Sequence, residues 1–318
     1  MKLLITRPLP EVVLTAARRD FDVAVRDSNT PVTEAEMLDA LAEYDVILPT
    51  LGDAFKAPVF AAAPPPRAKL LANFGVGYNH IDVRAAAAAG VQVTNTPGAV
   101  TDATADIAMT LMLMSARRAS EGERMVRAGS WRGWHPTQML GLHLSGKTLG
   151  VVGMGRIGQA IAKRAHFGFG MPIHYYTRTP RDIPGLPDAQ AVDTLQGLMA
   201  VSDVVVIAAP ATAQTHHLID AKALEAMQTH AHLINIARGD IIDETALIDA
   251  LQAGQIAGAG LDVYEFEPKV PEALIALENV VLLPHLGTAA LEVRTQMGLM
   301  AVENAVAFKH GKPLPNAV

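Results

Sequence analysis

The chain contains no cysteine. A disulfide framework and a thiolate zinc site are therefore excluded, and nothing points to an oxidising compartment. No apolar run approaches the roughly 18 residues that a membrane helix needs. The opening residues, Met1-Lys2-Leu3-Leu4-Ile5-Thr6-Arg7-Pro8, are too short and too soon broken to be read as a signal peptide. Positive charge is not in surplus: 26 Lys and Arg stand against 32 Asp and Glu, for a net charge of −6. No run of Lys or Arg interleaves with aromatics, so a nucleic-acid partner is set aside, because a phosphate backbone asks for a basic face. There is no repeat of solenoid period and no low-complexity tail. What remains is the expectation of a soluble, cytoplasmic protein with neither nucleic-acid nor membrane partner.

Half of the 318 residues are hydrophobic and 18% are charged, which supports a large buried core and, at this length, about two domains. Short apolar strands alternate with helical patterns throughout. Leu3-Leu4-Ile5, Val46-Ile47-Leu48, Leu70-Leu71-Ala72 and Val91-Gln92-Val93 read as strands, with helices from Glu11 to Arg19 and Arg84 to Ala89. A long helical stretch from Thr101 to Arg127, ended by Gly129, repeats Ala105, Ala108, Leu111, Met112 and Ser115 at helical spacing. Beyond it the pattern resumes. Val204-Val205-Val206-Ile207 has no polar face and should be central in its sheet. Leu233 to Ile236, Ala259 to Leu261 and Val280 to Leu283 follow, and a last helix, Ala289 to Lys309, returns to the first domain. The fold class is α/β: two Rossmann-like domains with parallel sheets and an active-site cleft between them. The expected boundaries are 1–98 plus 288–318 for a discontinuous substrate-binding domain, and 99–287 for a dinucleotide-binding domain with a dimerisation region.

The chemistry begins at Val151-Val152-Gly153-Met154-Gly155-Arg156-Ile157-Gly158. An apolar strand runs into a G-x-G-x-x-G turn and then a helix. Gly153 allows the tight turn, Gly155 lets backbone approach a pyrophosphate, and Gly158 lets helix and strand pack closely. The next strand ends in Tyr175-Tyr176-Thr177-Arg178-Thr179-Pro180-Arg181. A site for an unphosphorylated ribose usually has an acid there. Here Thr177, Arg178 and Thr179 offer hydroxyls and a guanidinium, and Arg181 adds reach. That set suits a 2′-phosphate, so NADP(H) is favoured over NAD(H).

Three further residues each follow a predicted strand: Arg238 after Leu233–Ile236, Glu267 after Ala259–Leu261, and His285 after Val280–Leu283. Ligands in open α/β sheets sit at that end. Arg can clamp a carboxylate, His can move a proton, and Glu can orient the His and favour its charged form. His216-His217 and the pair His230 and His232 invite a metal. Adjacent histidines do not easily face one ion, however, and no carboxylate cluster completes a site, so no metal is expected.

On these residues the chain resembles the D-isomer-specific 2-hydroxyacid dehydrogenases, most closely their NADP-dependent glyoxylate/hydroxypyruvate reductase branch. The resemblance runs through NFGVGYNHID at 73–82, NTPGAVTDATAD at 95–106, GVVGMGRIG at 150–158, INIARGD at 234–240 and GAGLDV at 258–263, with Glu267-Pro268 and Pro284-His285. It implies that Arg238 binds the substrate carboxylate and carbonyl. His285 is the general acid in reduction and base in oxidation, and Glu267 hydrogen-bonds it. The backbone of Val76 and Gly77 would hold the substrate carboxylate, and loops near Leu51, Gly52 and Trp134 would shape the pocket. Thr104, Gly153, Met154, Gly155, Arg156, Ile157, Gly158, Pro210, Ala237 and Asp262 would line the cofactor, with Asp262 near the nicotinamide amide. The family is typically dimeric through the region of Thr101 to Arg127, and Trp134 matches an aromatic that can reach the neighbouring subunit's site.

The expected function is NADPH-dependent reduction of a small 2-oxo acid, such as glyoxylate or hydroxypyruvate, to the D-2-hydroxy acid. Glu267 stands where formate-oxidising relatives have Gln, which disfavours formate. Two alternatives stay open: another dehydrogenase of the family acting on phosphoglycerate, phosphite or a bulkier 2-oxo acid, and a non-catalytic nucleotide-sensing protein of the same fold.

Overall fold

The first five strands are three or four residues long, and two of them, Val46–Leu48 and Leu70–Ala72, are wholly apolar and buried, as strands covered on both faces of a parallel sheet must be. In a computed structural model describing residues 1–179 and 182–318, the chain forms two units: 1–100 with 288–318, and 101–287. Arg181, expected to add reach beside Arg178, lies outside the described residues.

In the first unit, β1 (Lys2–Ile5), β2 (Asp22–Val25), β3 (Val46–Leu48), β4 (Leu70–Ala72) and β5 (Gln92–Thr94) form one parallel sheet in the order β2-β1-β3-β4-β5. Helices α1 (Glu11–Arg18), α2 (Glu34–Glu43), α3 (Ala57–Ala62) and α4 (Val83–Ala88) connect them. Chain direction across the sheet reverses between β1 and β3. The segments leaving β3 and β4, which carry Leu51, Gly52, Val76 and Gly77, emerge at the strand ends where ligands bind in such sheets. Asp53 fixes the first of them. Its buried carboxylate accepts from Thr6 Oγ1 at 2.6 Å, Thr50 N at 2.8 Å and Val32 N at 3.1 Å.

The second unit opens with α5 (Thr101–Ala116) and α6 (Ala119–Arg127). The sequence reads this stretch as one helix. It breaks at Arg118, which takes the left-handed conformation at φ 52° and forks its guanidinium onto Glu121 at 2.7 and 2.8 Å. Ala105, Ala108, Leu111, Met112 and Ser115 are all buried, and α5 packs on the sheet of its own unit. No residue of α6 is buried.

β6 (Leu149–Val152), α7 (Arg156–Phe169), β7 (Ile173–Tyr176), β8 (Gln190–Ala191), α8 (Leu195–Val201) and β9 (Val204–Ile207) follow. Then come α9 (Ala221–Glu225), β10 (His232–Asn235), a 3-10 turn at Gly239–Ile241, α10 (Glu244–Gln252), β11 (Gly258–Leu261), α11 (Glu272–Ile275) and β12 (Val280–Leu282). The parallel sheet has the order β12-β11-β10-β9-β6-β7-β8. β9 lies inside it with every residue buried, as its unbroken apolar run requires. The chain builds outward from β6 through β7 to β8, then returns to β9 on the other side. That reversal is the switch point at which a dinucleotide crevice opens. α12 (Leu291–Lys309) closes the chain and packs on α1 and β4 of the first unit. Among the described residues no helix is long and apolar enough to cross a membrane.

Candidate active site

The glycine loop leaves β6 at the switch point. Gly153 has φ +95°, and a Cβ there would lie 2.6 Å from Ala209 N, just past the end of β9. Only a residue without a side chain passes between the two central strands. Gly158 is held by the same kind of constraint, since its Cβ would overlap the Gly153 carbonyl. Nothing lies within 4 Å of a Cβ at Gly155, and this residue caps α7 without any side-chain hydrogen bond. The helix thus presents its first N–H groups and its positive end to open space, which is the arrangement that binds a pyrophosphate. Met154 is 1% exposed with its side chain in the core, so only its backbone can face a ligand. Arg156 is exposed and Ile157 half-buried.

Tyr176, the last residue of β7, receives a hydrogen bond from Gly153 N at 2.9 Å, which sets Thr177 directly beside the loop. Thr177 is half-buried, and Arg178 and Thr179 are exposed. Among the described residues no carboxylate pairs with Arg178.

Arg238, Glu267 and His285 follow β10, β11 and β12, which are adjacent in the sheet. His285 Nδ1 lies 2.9 Å from Glu267 Oε2. An ionised carboxylate can only accept, so Nδ1 carries the proton and the ring is oriented through it. The other oxygen, Oε1, accepts from Tyr264 N at 3.1 Å. Burial pushes the Glu267 carboxyl up, but the His285 hydrogen bond and charge, the Tyr264 N–H and the Arg238 charge outweigh it and hold the carboxyl below its ordinary range. Burial pulls the Arg238 guanidinium down, against the charges of Glu267 and Asp240. Glu267 therefore feels both cationic partners, and the three residues form one electrostatic unit.

Gly239 makes that convergence possible. A Cβ on it would overlap the Tyr264 carbonyl, so the turn carrying Arg238 lies against the backbone of the loop carrying Glu267. Asn235 sets the same turn, with Nδ2 donating to Arg238 O at 2.8 Å and Oδ1 accepting from Ala237 N at 3.0 Å. A polar residue at the end of an apolar strand was the available signal for Asn235.

Asp262 does more than its sequence context suggests. It is 1% exposed, and its oxygens accept from Leu286 N at 2.6 Å and Gly287 N at 2.8 Å. Its carbonyl accepts from His285 N at 3.0 Å. The turn bearing His285, itself left-handed at φ 55°, is tied to this one buried acid. Thr104 reinforces the turn by donating to Gly287 O at 3.2 Å. Pro210 is exposed and Ala237 half-buried.

In the first unit, Asn73 Nδ2 donates to Gly75 O and Gly77 O at 3.0 and 3.1 Å, while Asn95 Nδ2 donates to Val76 O at 2.9 Å. The carbonyls are thus engaged. Neither the Val76 nor the Gly77 N–H donates to another described residue. Leu51 is half-buried and Gly52 exposed. Trp134 is 78% exposed.

His216 and His217 do not diverge, contrary to what their adjacency suggests. His217 is left-handed at φ 49°, which turns its side chain onto the same side as its neighbour's, and the rings stack with centroids 4.0 Å apart. His217 Nε2 lies 2.9 Å from Glu265 Oε1.

Comparison with known proteins gives one family. The family described as D-isomer specific 2-hydroxyacid dehydrogenase, NAD binding domain, matches residues 109–287. Glyoxylate reductase of Pyrococcus horikoshii is 43% identical over 321 residues, covering 100% of this chain and 95% of the relative. A solved structure from Thermus thermophilus has a TM-score of 0.92 at 42% identity, with 100% of each chain covered. The NADPH-dependent glyoxylate/hydroxypyruvate reductase of Sinorhizobium meliloti, solved with NADP and malonate, has a TM-score of 0.88 at 37% identity, covering 100% of this chain and 96% of the other.

Proposed function

The chain belongs to the D-isomer-specific 2-hydroxyacid dehydrogenase family, an NAD(P)-dependent class of oxidoreductases acting on CH–OH groups, and on that premise we propose that it reduces a small 2-oxo acid, glyoxylate or hydroxypyruvate, to the D-2-hydroxy acid with NADPH. The observation that carries the reading is the His285–Glu267 pair at 2.9 Å, coupled by charge to Arg238 on the sheet that also bears the glycine loop.

The residues present fit a dinucleotide. Gly155 leaves the N-terminus of α7 open, and Gly153 lets the turn pass between β6 and β9. The nicotinamide, when bound, supplies the hydride. Everything else falls to the chain. Arg238 clamps the substrate carboxylate and polarises its carbonyl, with the Val76 and Gly77 N–H groups as further donors to the carboxylate. Leu51 and Gly52 shape the pocket. His285 Nε2 donates the proton to the carbonyl oxygen in reduction and takes it back in oxidation. Glu267 keeps Nδ1 protonated and the ring aimed. Arg178, with Thr177 and Thr179, binds the 2′-phosphate, in keeping with the NADP-bound relative. A homodimer completes the reading: no residue of α6 is fully buried within the chain, and Val126, Trp131, Trp134 and Leu140 stand exposed.

Initial rates with NADPH and NADH against a panel of 2-oxo acids test the proposal. Turnover of glyoxylate or hydroxypyruvate, faster with NADPH, is the expected result. His285→Ala should lower kcat by roughly 10²–10⁴-fold. Near-normal turnover in that variant removes His285 from its role. No turnover with any 2-oxo acid leaves the nucleotide-sensing reading.

A further inference from the structure

We propose that His216, His217 and Glu265 form a binding site for a single borderline divalent cation of the zinc, cobalt, nickel or copper(II) class. The ligand atoms of the three side chains lie within 4.8 Å of one another. Two imidazoles and a carboxylate are the donor set such cations take up, in preference to calcium or magnesium, which favour all-oxygen shells.

The geometry is partly set before any ion arrives. His217 Nε2 and Glu265 Oε1 are 2.9 Å apart. Tetrahedral bonds of about 2.05 Å need a ligand–ligand edge of about 3.3 Å, so this pair has only to open by a few tenths of an ångström. A hydrogen bond between His217 and Glu265 would explain these two residues alone. It does not explain the His216 ring, which lies on the His217 ring with an interplanar angle of 25°. His216 is exposed, so its ring can swing by the ångström or so needed to close the third ligand position.

The backbone holds both histidines in place. His216 N donates to Thr212 O at 3.0 Å and His217 N to Asp240 O at 2.9 Å. The left-handed conformation of His217 is unusual for a residue with a side chain, and it is what puts two successive imidazoles on one side. Charge acts in the same direction. Glu265 N donates to Glu244 Oε2 at 3.3 Å, so a second, 7% exposed carboxyl lies directly behind the site.

The site bridges the segment following Pro210 to the loop that carries Glu267. It is separate from the dehydrogenase reading, because its occupancy can be measured with no substrate or nucleotide present. The test uses the untagged full chain, dialysed against chelator. Zinc is titrated by calorimetry, and cobalt(II) by its visible absorption. The expected result is one saturable equivalent per chain, with cobalt showing the intense bands of a low-coordinate nitrogen–oxygen site. His216→Ala and Glu265→Gln should each weaken binding at least about tenfold, the lower bound for disturbing even the supporting groups of a metal site. His230→Ala, which removes another exposed histidine paired with a carboxylate at 2.6 Å, should leave it unchanged. His216 is exposed, so its variant folds whatever Glu265→Gln does. Unaltered affinity in His216→Ala overturns the proposal, as does weak, unsaturable uptake by the unmodified chain.

Discussion

Asp262→Asn separates two roles for a buried acid. If Asp262 mainly orders the turn that bears His285, losing one of its oxygens as an acceptor should be felt in kcat. The carboxylate accepts at 2.6 Å from Leu286 N and at 2.8 Å from Gly287 N. An amide can accept only one of these and turns an NH₂ group toward the other N–H. Losing a charge-assisted bond costs roughly 1.5–3 kcal/mol. Part of that returns, because burial has already pushed the Asp262 carboxyl up, so the charged form is costly in the folded state. The net loss should be about 1–2 kcal/mol, and for a unit of this size each 1 kcal/mol lowers Tm by about 2–4 °C. The functional loss should be larger. A displacement of about 1 Å at a proton donor costs on the order of 10²-fold in rate, so kcat at saturating cofactor should fall about 10–100-fold. The assay is the absorbance decay of NADPH with glyoxylate, run alongside thermal unfolding. An unchanged kcat with a raised KM for the cofactor would refute the reasoning, because Asp262 would then act on the nicotinamide and not on the turn.

Gly239→Ala should be more damaging than most Gly-to-Ala changes. Its Cβ would overlap the Tyr264 carbonyl, so the Arg238 turn must separate from the Glu267 loop. Unfolding should show about 1–3 kcal/mol lost to overpacking, and kcat/KM should fall by on the order of 10²-fold; retained activity would mean the two segments need not touch. Arg178→Ala should raise KM for NADPH about tenfold, the low end for an exposed charge-assisted contact, and leave NADH nearly unchanged; equal losses would end the 2′-phosphate role. His232 bears on pH. It is buried, its Nδ1 lies 2.8 Å from Ser115 Oγ, and burial lowers its pKa to about 4. The unfolded chain binds its proton first, so stability is complete above about pH 6.5 and declines as pH falls toward 4, by up to on the order of 3 kcal/mol. Denaturant unfolding of His232→Gln should show a shallower acid loss over that window, and parallel curves would exclude His232 as the source.

Much of the fold was readable because its signals are local and steric. The unbroken apolar run Val204–Ile207 forces a strand covered on both faces. Gly153 and Gly158 stand where no other residue fits. Arg238, Glu267 and His285 could be grouped before any geometry, since each follows a strand, and the C-terminal ends of parallel strands in one sheet share an edge. β2 was overlooked for the converse reason: it is an edge strand with no fully buried residue, so it carries no continuous apolar run. β5 was placed one residue early because Val91 is buried just ahead of the ladder that starts at Gln92.

The deeper failures share one cause. A left-handed residue is legible when it is glycine, because glycine pays no steric cost there. Arg118, His217 and His285 adopt that conformation with full side chains, at φ 52°, 49° and 55°. Nothing in their identity announces it. At Arg118 it splits a stretch that reads as one helix. At His217 it brings together two histidines whose adjacency seemed to part them. At His285 it is tolerated because Asp262 ties the following N–H groups and Glu267 holds the ring. For the two histidines the backbone is set by partners distant in sequence: Asp240 O for His217, and Asp262 and Glu267 for His285. Local strain of this kind costs on the order of 1–3 kcal/mol and persists only where surrounding contacts over-determine it. Residue types therefore identified the candidate chemistry, while the aim of each imidazole depends on long-range contacts that spacing along the chain does not encode.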